Sequence, residues 1–415
     1  MQNRLSKRVS IWWGPPKNFD TRQKERRVSW LELFYDLVYV IAIARITEHF
    51  SHHISIEGFL EYACLFALIF WGWLNGSFHH DLHGNQGLRT RLMMLWQMMI
   101  IAALAVTLDR ETKSYRDITA IFMIMQLFIT YQWWSVGFYD KPHRKYSWPY
   151  TRLFLVSFLL MVVSLWIPHS WFKIIFPVIL VLNYMPPFIS SRILRRSSQN
   201  LNLSSSMFER LGLFTIIIFG ELALGVVHGM RNIEVIHFID WVNFALGFSV
   251  VFALWWIFFT FVSNREVRKG FDKASLLELL YIPALISLGC VAVCLLSFFI
   301  DNASANGLRQ LFGFAVVFFL CCIVLMMYLL AYPAVFDTLK RRMRLSMLLT
   351  ALLFLLLSFV NFNLSGTVYL VLVLLLLVLE ISYLNYIYYS KLLKEGIDPL
   401  EVGAAHADNS NTVNE

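Results

Sequence analysis

Charge is scarce in this sequence. Asp, Glu, Lys and Arg make up 15% of its 415 residues, where a soluble domain carries about 25%. That shortage excludes a solvated exterior for most of the chain, and a hydrophobic content of 58% gives it a membrane composition. Cysteine is sparse as well. Cys64, Cys290, Cys294, Cys321 and Cys322 all lie inside apolar runs, which argues against disulfides across extramembrane loops and against a cysteine metal site. No apolar stretch precedes Trp30: the first 27 residues are basic and broken by Gly14, Pro15 and Pro16. No cleavable signal peptide is expected, and the first apolar segment reads as a retained span. P-loop, GxSxG, HExxH and dinucleotide fingerprints are missing from any suitable context. The net charge of +8 does not point to nucleic acid, because the basic residues form small clusters between apolar segments rather than one face.

What the chain has instead is a series of apolar stretches, each near the roughly 20 residues that one bilayer crossing needs. They fall near residues 30–50, 58–78, 89–108, 117–138, 150–167, 171–189, 208–228, 238–262, 275–300, 309–332, 345–360 and 366–390. The fold class that follows is an all-α polytopic integral membrane protein with about twelve transmembrane helices. The fifth and eleventh stretches are short, and the sixth contains Pro177, Pro186 and Pro187.

Lys and Arg test this count, since they should collect on the cytoplasmic side. The N-terminal segment holds eight of them. Connections after even-numbered spans hold clusters such as Lys141/Arg144/Lys145, Arg192/Arg195/Arg196, Arg265/Arg268/Lys269/Lys273 and Lys340/Arg341/Arg342/Arg344, whereas those after odd-numbered spans hold few. One miscounted helix would break this alternation, so both termini are expected in the cytoplasm.

The first and seventh spans look related. Trp30-Leu-Glu-Leu-Phe-Tyr-Asp and Phe208-Glu-Arg-Leu-Gly-Leu-Phe each carry a glutamate at the start, Glu32 and Glu209, and each is followed by an aromatic-rich span, Ala67-Leu-Ile-Phe-Trp-Gly-Trp and Ala253-Leu-Trp-Trp-Ile-Phe-Phe. Two six-helix repeats are expected. Because six is even, they would share one orientation, as in parallel-repeat transporters. The layout is then a basic cytoplasmic segment (1–29), a first repeat (30–190), a cytoplasmic linker (191–207), a second repeat (208–390) and a polar cytoplasmic tail (391–415).

Glu32-Leu-Phe-Tyr-Asp36-Leu-Val-Tyr-Val resembles the opening motif of the bacterial low temperature requirement A proteins, and Glu209-Arg-Leu-Gly-Leu-Phe-Thr with Gly220-Glu221 resembles their second motif. Trp71-Gly-Trp73, Asp81, Arg89 and Leu254-Trp255-Trp256 follow in the expected order, so the resemblance runs from about Val28 to Leu330. It implies a bacterial inner membrane protein. The family name describes a growth requirement and implies no reaction.

Charged side chains at the bilayer centre cost about 2.5–3.5 kcal/mol on insertion scales, so those that remain should face the helix bundle and be paired or hydrated. Glu32 and Asp36, four apart, share one helix face near the cytoplasmic boundary. Held close and partly dehydrated, they are candidates to share a proton or bind a cation. The simpler alternative makes Glu32 a cap or an ion-pair partner of Arg210 or of an N-terminal arginine. Arg45 and Glu221 lie at comparable depths in the first and seventh spans and could meet, with Glu48 a competing local partner for Arg45. The candidate pathway residues are thus Glu32, Asp36, Arg45, Glu209, Arg210 and Glu221, with Asn75 and Glu380 secondary. Glu278 is a further acid within a span, and Glu380 has no evident partner in sequence. His49/His52/His53 and His79/His80/His83 have helical spacing, but neither supplies ligands from a second element, so ordinary interfacial histidines are expected rather than metal.

A transporter or channel-like protein, with a charged pathway between its halves for an unknown ion or small solute, accounts for these residues best. A membrane-embedded sensor or scaffold would make them dispensable. A membrane-embedded enzyme needs a nucleophile–base or metal constellation that is not found. No cofactor and no nucleic-acid partner are expected; the lipid bilayer is the expected environment.

Overall fold

The computed structural model describes residues 28–394, apart from 85–86, 109–114, 142–143, 168–171, 197–203, 232, 234, 264, 266, 269–270, 301–305, 333 and 360–364. Apolar stretches in lipid must satisfy their own backbone, and helices do so within one segment. The chain accordingly forms α1 (Trp30–His52), α2 (Ile56–His83), α3 (Leu88–Leu108), α4 (Tyr115–Tyr139), α5 (Arg144–Ser164), α6 (Phe172–Tyr184), α7 (Pro186–Arg196), α8 (Ser205–Arg231), α9 (Phe238–Phe261), α10 (Phe271–Ile300), α11 (Asn306–Leu329), α12 (Ala334–Phe359) and α13 (Gly366–Lys394). Because α6 and α7 together make one span-length rod broken at Met185, these are twelve rods. Eleven are long and apolar enough to cross a membrane. The remaining one, α1, has 23 residues but carries Glu32, Asp36, Arg45 and Glu48. The N-terminal segment to residue 27 and the tail from 395, read from sequence as cytoplasmic, lie outside the described residues, as do residues 197–203 of the 191–207 linker, whose two ends belong to α7 and α8.

Two boundaries differ from the hydropathy expectation. α12 begins well before residue 345, so Lys340, Arg341, Arg342 and Arg344 lie on a helix rather than in a connection. Long basic side chains allow this, because their stems pack on apolar surface while the charge finds polar or aromatic partners. Lys340 donates to the Leu330 carbonyl at 3.3 Å and sits over the Tyr332 ring, and Arg344 lies 3.8 Å from the centre of the Tyr328 ring. α5 likewise starts at Arg144, with Pro149 in its second turn.

The chain divides into two compact units, Met1–Glu221 with Val267–Gly289, and Leu222–Glu266 with Cys290–Glu415. In the first, α1 packs on α2 and α3, α4 on α3 and α5, and α5 on α6 and α7. Its core is aromatic. Trp71, Trp73, Trp133, Tyr35, Tyr39 and Tyr150 are buried, with Trp133 stacked on Tyr150 at 4.0 Å. The break between α6 and α7 is also resolved here. Pro187 has no N–H, so the carbonyl four residues earlier, Asn183, loses its helical donor; the Trp71 indole supplies one at 2.9 Å. The Asn183 side chain in turn accepts from Gln126 at 3.0 Å.

In the second unit, α9 packs on α13, and α12 on α11 and α13. Glu380, without an evident partner in sequence, is buried and accepts hydrogen bonds from Ser346 (2.6 Å) and Thr350 (2.8 Å) on α12. Those two hydroxyls lie four apart, on one helix face. Tyr332 donates to the carbonyl of Phe261, at the end of α9, at 2.6 Å.

The alternating basic clusters predict that the α1–α2 turn and the α4–α5 connection face opposite sides of the membrane. In a background lacking the five native cysteines, Ser51→Cys should react with an impermeant maleimide on intact cells, and Lys141→Cys only after permeabilisation. Labelling of both from the same side would overturn the assigned orientation.

Candidate functional site

The site is built on α1, whose two faces differ. Trp30, Phe34, Leu37 and Ile41 form an exposed stripe, while Glu32, Tyr35, Asp36, Tyr39 and Ile43 are buried. Helical geometry thus points the apolar side chains outward and both acids inward. Ser29 caps the helix: its hydroxyl accepts from the Glu32 N–H at 3.4 Å, and Glu32 Oε2 accepts from the Ser29 N–H and hydroxyl, each at 2.8 Å. This reciprocal capping fixes the Glu32 side chain and leaves Oε1 pointing away from the cap.

Arg210 comes from the start of α8. The register of that helix is set by Asp81 near the end of α2, which accepts from Ser204 and Ser206 at 2.6 Å each, while the Ser204 hydroxyl accepts from the Met207 N–H. One turn beyond Ser206, Arg210 reaches α1. Its Nη2 donates to Asp36 Oδ1 and its Nε to Oδ2 at 3.3 Å, a two-pronged pair, and its Nη1 lies 3.7 Å from Glu32 Oε1. The Trp73 indole donates to Asp36 Oδ1 at 2.7 Å. Tyr35 and Trp73 present their rings to the guanidinium at 5.6 and 5.7 Å. Glu32, Asp36 and Arg210 are each 0% exposed.

In a medium of low dielectric such a cluster is held only because its charges are paired and hydrogen-bonded. Two carboxylates against one guanidinium leave a formal excess of one negative charge. His80 Nε2 stands 3.4 Å from Glu32 Oε1. Beside it lies a cavity of about 30 Å³.

The other sequence candidates separate. Glu209 points outward and is exposed. Arg45 and Glu48 continue the exposed stripe of α1 and pair with each other at 2.8 Å, so the local partner named from spacing is engaged. Glu221 is half-buried and within electrostatic reach of both. Asn75 is buried but donates back to the Trp71 carbonyl at 3.0 Å within its own helix. Glu278 is buried, with Tyr146, Tyr150 and Tyr184 as electrostatic neighbours. The described residues contain no group of three His, Cys, Asp or Glu side chains placed to hold a metal ion. Sequence reasoning missed Asp81 as the anchor of α8 and Trp73 as a donor to Asp36. The Ser204-x-Ser206 pair just ahead of a predicted span was the available signal for the first, since serines before an apolar run mark helix starts.

The fold and the cluster define a polytopic α-helical membrane protein with a buried charged site. Residues 27–381 match the family described as Bacterial low temperature requirement A protein (LtrA), and the chain belongs to that family. It is also similar to Uncharacterized protein RA0937 of Rhizobium meliloti (strain 1021), with 26% identity over 274 residues, and this match covers 63% of the chain and 64% of that protein's length.

The geometry predicts a strongly non-additive response. Arg210→Met should destabilise the protein by about 3–5 kcal/mol, because two buried carboxylates lose their counter-charge. Glu32→Gln/Asp36→Asn/Arg210→Met should recover most of that loss in thermal unfolding in detergent. Equal losses in the single and triple variants would show that charge pairing is not what holds the site.

Proposed function

We propose that this protein is a transporter or channel-like permeation protein whose charged pathway follows α1, with Asp36 and Arg210 at its core. The observation that carries this reading is the complete burial of Arg210 against Asp36 and Glu32. A buried ion pair adds little stability over an apolar substitute, and charges inside a membrane domain mark ion or substrate paths.

A second charged group supports it. Arg45 lies nine residues beyond Asp36, about 14 Å along a helix. There the donors are exchanged: α1 supplies the arginine and α8 the acid, Glu221, with Glu48 as a third member. Each cluster has two acids and one arginine, so each carries a formal negative excess suited to a cation or proton. The exchange of roles between the first and seventh spans also supports the six-plus-six repeat. Between the clusters, Tyr39, Val40, Ile43, Phe214 and Ile218 are buried. An ion would need this apolar stretch to open, as gating and alternating access require.

Reconstitution tests the proposal. Purified protein in liposomes should pass protons or another cation down an imposed gradient, and Asp36→Asn or Glu221→Gln should lower that flux by about tenfold, equivalent to ~1.4 kcal/mol of lost interaction. Absence of flux under proton, cation and anion gradients, or flux indifferent to both substitutions, would overturn it and favour a sensor or scaffold.

A further inference from the structure

We propose that the start of α12 is a binding site for an anionic phospholipid, with Arg341 and Arg342 holding the headgroup phosphate and the leucine face beyond them taking an acyl chain. The proposal is independent of the permeation reading.

α12 carries Lys340, Arg341, Arg342 and Arg344 against one acid, Asp337. The four bases are not alike. Lys340 is buried, donates to the Leu330 carbonyl and sits over the Tyr332 ring. Arg344 lies over the Tyr328 ring, and its Nε donates to the Lys340 carbonyl at 3.2 Å. Arg341 and Arg342 are exposed, and among the described residues neither has an ion-pair partner or a ring beneath it. Two bases are thus engaged by the protein, and two adjacent ones keep their donors for something outside it.

What lies beyond them on the helix is apolar and uncovered. Leu345, Leu348 and Leu352 are 68%, 43% and 49% exposed. Counted from Arg341 they stand four, seven and eleven residues on, the repeat of a single helix face. Leu352 is then about 16 Å along the axis from Arg341, close to the ~15 Å depth of one leaflet of a bilayer. α11 adds a second wall. The contact between Arg344 and Tyr328 sets the end of α11 beside the start of α12, and Tyr328 and Leu325, three apart on one face, are both exposed.

Any lipid can lie on an apolar face; the pair of arginines at its head is what selects one. Guanidinium forks donate two parallel hydrogen bonds to phosphate oxygens, and they stay charged at any physiological pH. Four bases against one acid leave an excess of three positive charges on this helix, which an anionic headgroup neutralises and a zwitterionic one does not. A soluble anion would meet the arginines alone, whereas an amphiphile meets both halves of the surface. Basic groups gathered beside a membrane helix are a recognised means of holding anionic headgroups.

Purified full-length protein, delipidated in an uncharged detergent and titrated with phosphatidylglycerol or phosphatidylcholine of the same chains, tests this by native mass spectrometry. Wild type should bind phosphatidylglycerol about tenfold tighter, and Arg341→Gln/Arg342→Gln should abolish that preference. Arg116→Gln/Arg231→Gln, which removes the same charge from exposed positions at the ends of other helices, should match wild type. Loss in both variants or in neither overturns the site. If Arg341→Gln/Arg342→Gln is not monodisperse, Arg342→Gln alone takes its place, with a loss of about threefold expected and no loss overturning the proposal. Displacement of the lipid by excess inorganic phosphate would make a soluble anion the ligand and overturn it. A change in oligomeric state in place of a change in lipid binding would show that a second copy covers this face, and would overturn it as well.

Discussion

Placing a guanidinium where water cannot reach it constrains everything around it. Arg210 is fully buried, and a buried charge of that kind survives only with a close counter-charge and with its remaining donors directed at polar or aromatic groups. Asp36 meets the first demand, while Glu32, Tyr35 and Trp73 help meet the second. Each of these must itself be held. The cap at Ser29 holds Glu32, the Trp73 indole holds Asp36, and Asp81 holds the start of α8 through two serines. The arrangement links α1, α2 and α8 through charged hydrogen bonds, which are more directional and stronger than neutral ones.

Elsewhere the same rule acts on neutral groups. Pro187 removes a helical donor from the Asn183 carbonyl, and Trp71 replaces it. Ser346 and Thr350 serve the buried Glu380. In a bilayer no water rescues an unmet carbonyl or carboxylate, and at these two places partners from another helix or another turn do so instead. Tryptophan suits this task, because it joins a large apolar body to one N–H donor. Trp71 and Trp73 sit two apart on α2 and donate to partners on different helices, Asn183 on α6 and Asp36 on α1.

How much of this could be read in the sequence depended on whether the signal was local. Helix positions followed from apolar run length, and all twelve expected stretches are helical, because a crossing requires about 20 apolar residues whatever its neighbours are. The interior placement of Glu32 and Asp36 followed from spacing, since residues four apart share a face. Pairings between distant segments did not follow. Arg210 was a candidate partner for Glu32 and proves to be chiefly the partner of Asp36, a choice set by the register of α8, which Asp81 fixes from another helix. Arg45 and Glu221 occupy comparable depths and lie within electrostatic reach of each other, while Arg45 also hydrogen-bonds Glu48 on its own helix. Depth along a helix is legible from residue count; azimuth relative to a helix hundreds of residues away is not. The basic start of α12 misled for a related reason: hydropathy marks where a helix leaves the apolar layer, not where it stops being a helix.

The asymmetry between the two arginines bears on function. Arg210 is sealed among aromatic rings with a two-pronged carboxylate, whereas Arg45 is 43% exposed and held by an acid three residues away on the same helix. Exposed pairs of that kind contribute little to stability and rearrange easily. The buried pair resists change, because separating it leaves two uncompensated charges. A pathway running past both would therefore have a firm end at Glu32, Asp36 and Arg210 and a labile end at Arg45, Glu48 and Glu221. Under the proposed permeation reading, selectivity would belong at the firm end, where donors and acceptors are fixed in advance, and release at the labile end, where only a weak pair has to be displaced. Conduction needs binding strong enough to admit an ion and weak enough to let it leave, and under that proposal the two ends of α1 would divide these properties between them.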